Sequence, residues 1–324
     1  MLATLGTAAD IDESTHEWAF EMKWDGIRAL ATIDQSTVRF ATRNGIDVTA
    51  TYPDLQDLAD DVTGNAVLDG EIVALNKEGR PDFGLLQRRM KLERAAEVRT
   101  AVASIPVRYV VFDILSLRGR SLVDATYDDR RRVLRECVRA SGVILVPDAF
   151  EGDLAAAIDT SRRLGLEGVM AKRRDSGYSA GRRSRAWIKL KQHASQEVVI
   201  GGWRPGTGHR STSIGSLLMG VPSAQGLDYV GRVGTGFGDD ELAELARRLK
   251  KLGRKTSPFA DVPRDVGRDA NWITPSLVGE VEFAEWTSAG RLRQPSWRGW
   301  RPDKNPADVI RETTAGAEGS PPGA

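Results

Sequence analysis

The chain has 324 residues, 40% hydrophobic and 28% charged, ordinary values for a globular protein and a length that suits two cores better than one. Its 46 basic and 45 acidic residues nearly cancel, so no global field draws it to nucleic acid or membrane, and any such attraction must be local. The single cysteine, Cys137, excludes a disulfide framework within the chain, and no apolar run approaches the ~20 residues that span a bilayer.

A reducing, cytoplasmic setting is expected, because residues 1–14 also lack a basic region followed by an apolar core. Short alternating segments at 18–22, 29–33, 38–41 and 66–75 predict strands of a largely antiparallel sheet, punctuated by Asn44-Gly45 and Asp69-Gly70. Helices are predicted at 52–61 and 83–90, then at 128–140, where Val133, Leu134, Cys137 and Val138 form an apolar stripe, and at 153–164, with Gly165 as C-cap. The apolar run 107–117 fits a central strand, and 168–172 and 185–191 read as two more. After Lys191 glycine becomes frequent and strands brief (197–203, 216–221, 227–233, 278–286), with one amphipathic helix at 239–252, a texture that suits a small β-barrel. Domains are therefore expected at 1–193 and 194–311, followed by a disordered Gly, Ala, Ser and Pro tail at 312–324.

His16, His193 and His209 lack zinc-ligand spacing, and no P-loop occurs. The glycines at 231, 234, 236 and 238 have no βαβ unit around them, so a hairpin or bulge explains them better than a phosphate loop. Glu21-Met22-Lys23-Trp24-Asp25-Gly26-Ile27-Arg28 is different: it places a lysine at a strand end before an aspartyl-glycyl turn. A lysine attacks only when neutral, which its free pKa near 10.4 disfavours, so neighbouring cations or desolvation would have to prepare Lys23. An isolated lysine there would simply reach to solvent. Asp69-Gly70-Glu71 and Glu167-Gly168 each offer carboxylates of the kind that hold Mg²⁺ with much of its water. Between Lys172 and Lys191, Arg173, Arg174, Arg182, Arg183, Arg185 and Lys189 are opposed only by Asp175, a local route for a polyanion. Strand alternation would turn Lys189 and Lys191 to one side. Arginine and indole mix in Trp297-Arg298-Gly299-Trp300-Arg301-Pro302-Asp303-Lys304, which reads as a barrel-covering strand or as phosphate recognition.

In this order, Lys23-Trp24-Asp25-Gly26-Ile27-Arg28, Thr42-Arg43-Asn44-Gly45, Asp69-Gly70-Glu71, Val111-Phe112-Asp113-Ile114-Leu115, Glu167-Gly168-Val169-Met170-Ala171-Lys172, Trp187-Ile188-Lys189-Leu190-Lys191 and Arg301-Pro302-Asp303-Lys304 resemble the motif series of ATP-dependent DNA ligases. The likeness is narrower still to the ligase domain of bacterial ligase D of non-homologous end joining, in its actinobacterial form. The resemblance implies an α+β fold, a nucleotidyltransferase (adenylation) domain followed by an OB-fold. It implies attack of Lys23 on ATP to form lysyl-AMP, transfer of AMP to a DNA 5′-phosphate, and sealing by the 3′-hydroxyl. By the family pattern Arg28 and Arg43 contact ribose or nick phosphates, Glu71 the ribose and metal, and Glu167 the metal, Mg²⁺ or Mn²⁺. Lys189 and Lys191 take the α-phosphate, Phe112 stacks on adenine, Glu21 lies near its amino edge, and Arg301 and Lys304 orient pyrophosphate. The implied partners are nicked or broken double-stranded DNA, bound by a monomer through Arg43, Arg173, Arg174, Arg182, Arg183 and Arg185. Polymerase or nuclease modules and end-binding proteins of end joining are the further partners implied, in the cytoplasm at the nucleoid. Few residues precede Lys23, so modest, salt-sensitive nick affinity is expected. Rival readings are an RNA ligase or capping-type nucleotidyltransferase, and a non-catalytic DNA-binding module.

Overall fold

The structure is a computed structural model and describes residues 1–312, apart from residues 16, 91, 93, 152, 193 and 207–213. The expected tail from 313 onward, together with His16, His193 and His209, lies outside the described residues. The described chain divides into two compact units, Met1–Gln192 and His193–Glu312. No helix among the described residues is long and apolar enough to cross a membrane.

The first unit runs β1 (Leu2–Leu5), β2 (Trp18–Lys23), β3 (Ile27–Asp34), β4 (Thr37–Thr42), β5 (Ala66–Ala74), α1 (Phe83–Met90), α2 (Ala95–Ser104), β6 (Val107–Leu117), β7 (Arg120–Ser121) and α3 (Tyr127–Cys137). It continues through β8 (Ile144–Leu145), β9 (Phe150–Glu151), α4 (Leu154–Arg163), β10 (Gly168–Arg173) and β11 (Arg183–Lys191). Two sheets result, in the orders β1-β11-β10-β2-β9 and β4-β3-β5-β6-β7, with β8 alongside β6. All pairings in them are antiparallel except β1 with β11 and β6 with β8.

Alternation explains the second sheet. In β3 the residues Ile27, Ala29, Ala31 and Ile33 are buried while Arg28, Leu30 and Thr32 are less so, which gives one core face and one open face. The core face meets Phe40, Leu68, Ile72, Tyr109, Val111 and Ile114. Helix α3 starts at Thr126, whose side chain accepts from the Asp129 N–H, and it locks onto β6 through a buried pair: Arg130 Nε donates to Asp113 Oδ1 at 2.7 Å and Nη2 to Oδ2 at 3.0 Å. Burial in this packing pushes the Cys137 thiol up to about 11. At pH 8 the thiolate is then scarce, so alkylation of Cys137 in the folded protein should run on the order of a hundredfold slower than in denaturant, as intact-mass labelling would show.

Some local expectations need correction. Within 52–61 the chain forms a nine-residue 3-10 helix, Pro53–Asp61, rather than an α-helix, held by i to i+3 bonds such as Leu55 N–H to Tyr52 O. Strand β1 and helix α2 were not anticipated. Gly165, with φ of +66°, does follow α4 and lets the chain reverse there.

The second unit contains β12 (Ala194–Pro205), β13 (Ile214–Ser223), β14 (Gly226–Val233), α5 (Asp239–Lys251), α6 (Arg264–Gly267), β15 (Asn271–Phe283) and β16 (Ser296–Trp300). The strand expected at 278–286 begins earlier, at Asn271, and ends at Phe283. The sheet order is β14-β13-β12-β15-β16, and its two edges meet: Leu292 N–H donates to Val230 O at 2.8 Å and Trp297 N–H to Thr235 O at 2.9 Å. The sheet therefore curls into a barrel around Val199, Leu217, Val233, Leu249, Val281 and Trp300. Gly231 lies beside a register shift in the β13–β14 pairing, a bulge rather than a phosphate loop.

Candidate active site

Antiparallel partners share a face, so the register of β2, β10 and β11 assembles the site in three rows. Lys23, Gly168 and Lys191 form the first row, Glu21, Met170 and Lys189 the second, and Ala19, Lys172 and Trp187 the third. Gly168 is required at the centre of the first: its φ is +157° and a Cβ would lie 2.0 Å from Leu190 O.

Glu167, immediately before β10, ties that row together. Lys23 Nζ forms a short ion pair with Glu167 Oε2, and Lys191 Nζ lies 3.5 Å from Oε1. Burial pulls the Lys23 pKa down, but the Glu167 carboxylate outweighs it and holds the group above its ordinary value, with Lys191 opposing. Neighbouring cations or desolvation are expected from the sequence to prepare Lys23, and here burial and Lys191 do act in that direction but are outweighed by Glu167. Lys189 sits one row away, and the nearest charge to Lys23 is an acid, so Lys23 is an ammonium in this state.

The second row holds Glu21, which is buried. Its Oε2 pairs with Lys172 Nζ at 2.6 Å, its Oε1 accepts from the Tyr127 hydroxyl at 2.5 Å, and Arg131 Nε stands 3.8 Å away. Burial alone would raise the Glu21 pKa, yet Lys172 and Arg131 keep it below the usual carboxylate value. Lys172 is itself driven down by burial, with Glu21 opposing. Its ammonium lies 4.2 Å from the centre of the Trp187 ring and 4.6 Å from that of Phe112. A cavity of about 380 Å³, lined by Ala19, Tyr127, Arg131 and Arg174 among others, adjoins this group.

The second sheet contributes Arg28, opposite Glu71 in the β3–β5 ladder. Arg28 grips Asp69 in a fork, Nε to Oδ1 at 2.9 Å and Nη2 to Oδ2 at 2.6 Å, and the Tyr178 hydroxyl donates to Asp69 Oδ2 at 2.8 Å. Its guanidinium stands 5.5 Å from the Phe112 and Trp187 rings. Desolvation would raise the Asp69 pKa, but Arg28 keeps it low. Phe112 occupies the register shift of β6 against Asp69 and Gly70. Arg43 is exposed just beyond β4.

Asp69, Tyr127, Lys172, Tyr178 and Trp187 thus pack against the predicted site residues. Asp69, Lys172 and Trp187 lie within motifs the sequence singles out, Asp69 as a candidate Mg²⁺ carboxylate, whereas Tyr127 and Tyr178 carry no local signal. The contacts of these two tyrosines join residues far apart along the chain, such as Tyr127 with Glu21.

No cluster of three or more metal-ligating side chains occurs among the described residues. Glu71 and Glu167 remain hard oxygen donors, and Mg²⁺ needs no more than one or two protein carboxylates beside substrate phosphates. They fit it, with Glu167 now engaged by two lysines.

The basic segment is less bare than it reads. Arg173 pairs with Asp175 at 3.0 Å and Glu17 at 3.3 Å, Arg174 with Asp128 at 3.2 Å, and Arg185 with Asp10 at 3.1 Å. Arg183 donates to Ala3 O, and Arg182 is exposed. Three acids distant in sequence are therefore added to Asp175. In the second unit Arg301 pairs with Asp303 and Glu280, each at 2.8 Å, and Lys304 with Glu197 at 2.8 Å.

Comparison with known proteins matches residues 1–191 to the ATP dependent DNA ligase domain and residues 210–304 to the ATP dependent DNA ligase C terminal region. The chain is 49% identical over 316 residues to the multifunctional non-homologous end joining DNA repair protein LigD of Mycobacterium tuberculosis, covering 96% of this chain and 39% of that protein. It is 38% identical over 310 residues to LigD of Pseudomonas aeruginosa, covering 93% and 35%. The chain thus spans well under half the length of these relatives. Among solved structures, mycobacterial DNA ligase D complexed with ATP and MES matches with a TM-score of 0.66 at 44% identity, covering 96% of this chain and 97% of that one. The ligase domain of M. tuberculosis LigD matches with a TM-score of 0.52 at 45% identity, covering the same shares.

Proposed function

This chain belongs to the ATP-dependent DNA ligase family, and from that premise we propose that its first unit is an adenylation domain with Lys23 as nucleophile, followed by an OB-fold unit. Lys23 Nζ attacks the α-phosphorus of ATP: the N–P bond forms, the bridging P–O bond to the β-phosphate breaks, and pyrophosphate leaves. The AMP then passes to the 5′-phosphate at a nick, freeing Lys23, and the 3′-hydroxyl displaces AMP to join the strand. Such in-line displacements at phosphorus demand positioning and charge neutralisation, which is what a row of lysines and an arginine supplies.

The observation that carries this reading is the Lys23, Gly168, Lys191 row with Glu167 bonded to both lysines. Glu167 Oε2 lies against Nζ and is placed to share the proton that Lys23 must give up. Lys189 and Lys191 face the α-phosphate, Arg28 and Arg43 the ribose or nick phosphates, and Arg301 and Lys304 the departing pyrophosphate. Phe112 offers its ring to adenine, and Glu21, kept ionised, accepts from the exocyclic amine. Bound at Glu71 and Glu167, Mg²⁺ or Mn²⁺ would neutralise charge on the phosphates.

The DNA substrate is a nick or a broken end, approached through Arg43 and the arginines between 173 and 185. Polymerase and nuclease modules and end-binding proteins of end joining are the proposed partners of a monomeric ligase domain working on DNA in the cytoplasm. A sealing assay on nicked DNA and nicked RNA, each with ATP or GTP, tests the reading. Joining of nicked DNA with ATP is expected; preference for RNA would move the chain to the RNA ligases, and uptake of GMP from GTP to the capping-type enzymes.

A further inference from the structure

Arg301 is held by two carboxylates of different kinds. Asp303, two residues on, takes its Nε at 3.0 Å and Nη2 at 2.8 Å, a local fork that sets the guanidinium plane only against its own loop. Glu280 comes from β15, inside the barrel sheet, and its Oε2 accepts from Nη1 at 2.8 Å. Its other oxygen, Oε1, accepts from the Ser195 hydroxyl at 2.9 Å, near the start of β12. Glu280 stands opposite Gly299 in the ladder and is 6% exposed.

Asp303 fixes Arg301 only within the loop that carries both of them. What Glu280 adds is attachment: it fastens one edge of the guanidinium to a central strand, and Ser195 fixes the carboxylate in turn.

We propose that Glu280, oriented by Ser195, is a positioning residue that presents Arg301 to the leaving pyrophosphate, and so acts in the formation of lysyl-AMP rather than in strand closure. This rests on the reading of Arg301 given above. The experiment separates the two steps: transfer of label from α-labelled ATP to the protein, and closure, without ATP, of a nick already carrying a 5′-adenylate. Glu280→Ala should slow the first about 10- to 100-fold, the scale of a small misplacement of a reacting group, and the second less than about threefold. Glu280→Gln, whose amide oxygen can still accept from Arg301 and whose amide N–H can donate to the Ser195 hydroxyl oxygen, should recover most of the first step.

Equal loss in both steps by a folded Glu280→Ala protein, or an unchanged first step, would overturn the proposal. If circular dichroism shows that this variant does not fold, Ser195→Ala decides: a selective loss in the first step supports the role, and no loss overturns it. A wild-type protein that takes up no AMP overturns the reading of the site, and this inference with it.

Discussion

Replacing Lys23 with alanine should abolish ATP-dependent nick sealing, a loss on the order of 10⁴-fold or more as expected when a covalent nucleophile is removed. The same variant should still close a nick that already carries a 5′-adenylate, because that step needs the 3′-hydroxyl and not the lysine. Lys23→Arg should fail equally at the first step, since a guanidinium stays protonated and cannot attack. The fold should survive, because Glu167 keeps Lys191 at 3.5 Å when Lys23 is gone. Comparing the two substrates on one protein preparation checks this, and loss of both activities would show that Lys23 does something other than accept AMP.

Asp69→Ala should destabilise the first unit by roughly 3–5 kcal/mol, the range for breaking a buried ion pair from one side. Asp69 is fully buried and receives two Arg28 bonds and one from Tyr178, so its loss leaves a guanidinium among Phe112 and Trp187 with no counter-charge at that position. Asp69→Asn, which retains an acceptor, should lie between. The pH dependence has a definite sign. The folded Asp69 pKa is depressed, so its contribution is present above the unfolded value near 3.9 and is lost as pH falls through the folded value. Urea denaturation of wild type and Asp69→Asn at neutral and acid pH should therefore show their difference shrink on acidification. A constant difference would show that Arg28 does not hold Asp69 charged.

Much of this was legible in the chain. The alternation of β3 and of Trp187-Ile188-Lys189-Leu190-Lys191 reflects how a strand must divide its residues between core and open face, and Lys189 and Lys191 do share one. Features set by distant partners were not. Strand β1 is four residues whose partners lie some 180 positions away, and nothing local marks it. The segment 53–61 has helical spacing, but i to i+3 bonding, entered through Pro53, cannot be read from apolar periodicity. For the same reason the sequence hides the pairing that keeps Lys23 an ammonium. Its like-charged neighbours are visible as motifs, whereas the dominance of Glu167 depends on Lys23 and Glu167 meeting across 144 positions. Glu21 appeared as a lone acid before a lysine, and only the fold brings Lys172 and Tyr127 to its two oxygens.

Lys23 is the residue proposed to take AMP. Incubation of the wild-type protein with ATP and Mg²⁺, followed by intact-mass measurement and peptide mapping, tests it most directly. A gain of one AMP per chain, labile in acid, is expected on the peptide containing Lys23 and absent from Lys23→Ala. An adduct on Lys172, whose burial favours a neutral amine, or on Lys189 or Lys191, would contradict it, as would no adduct at all.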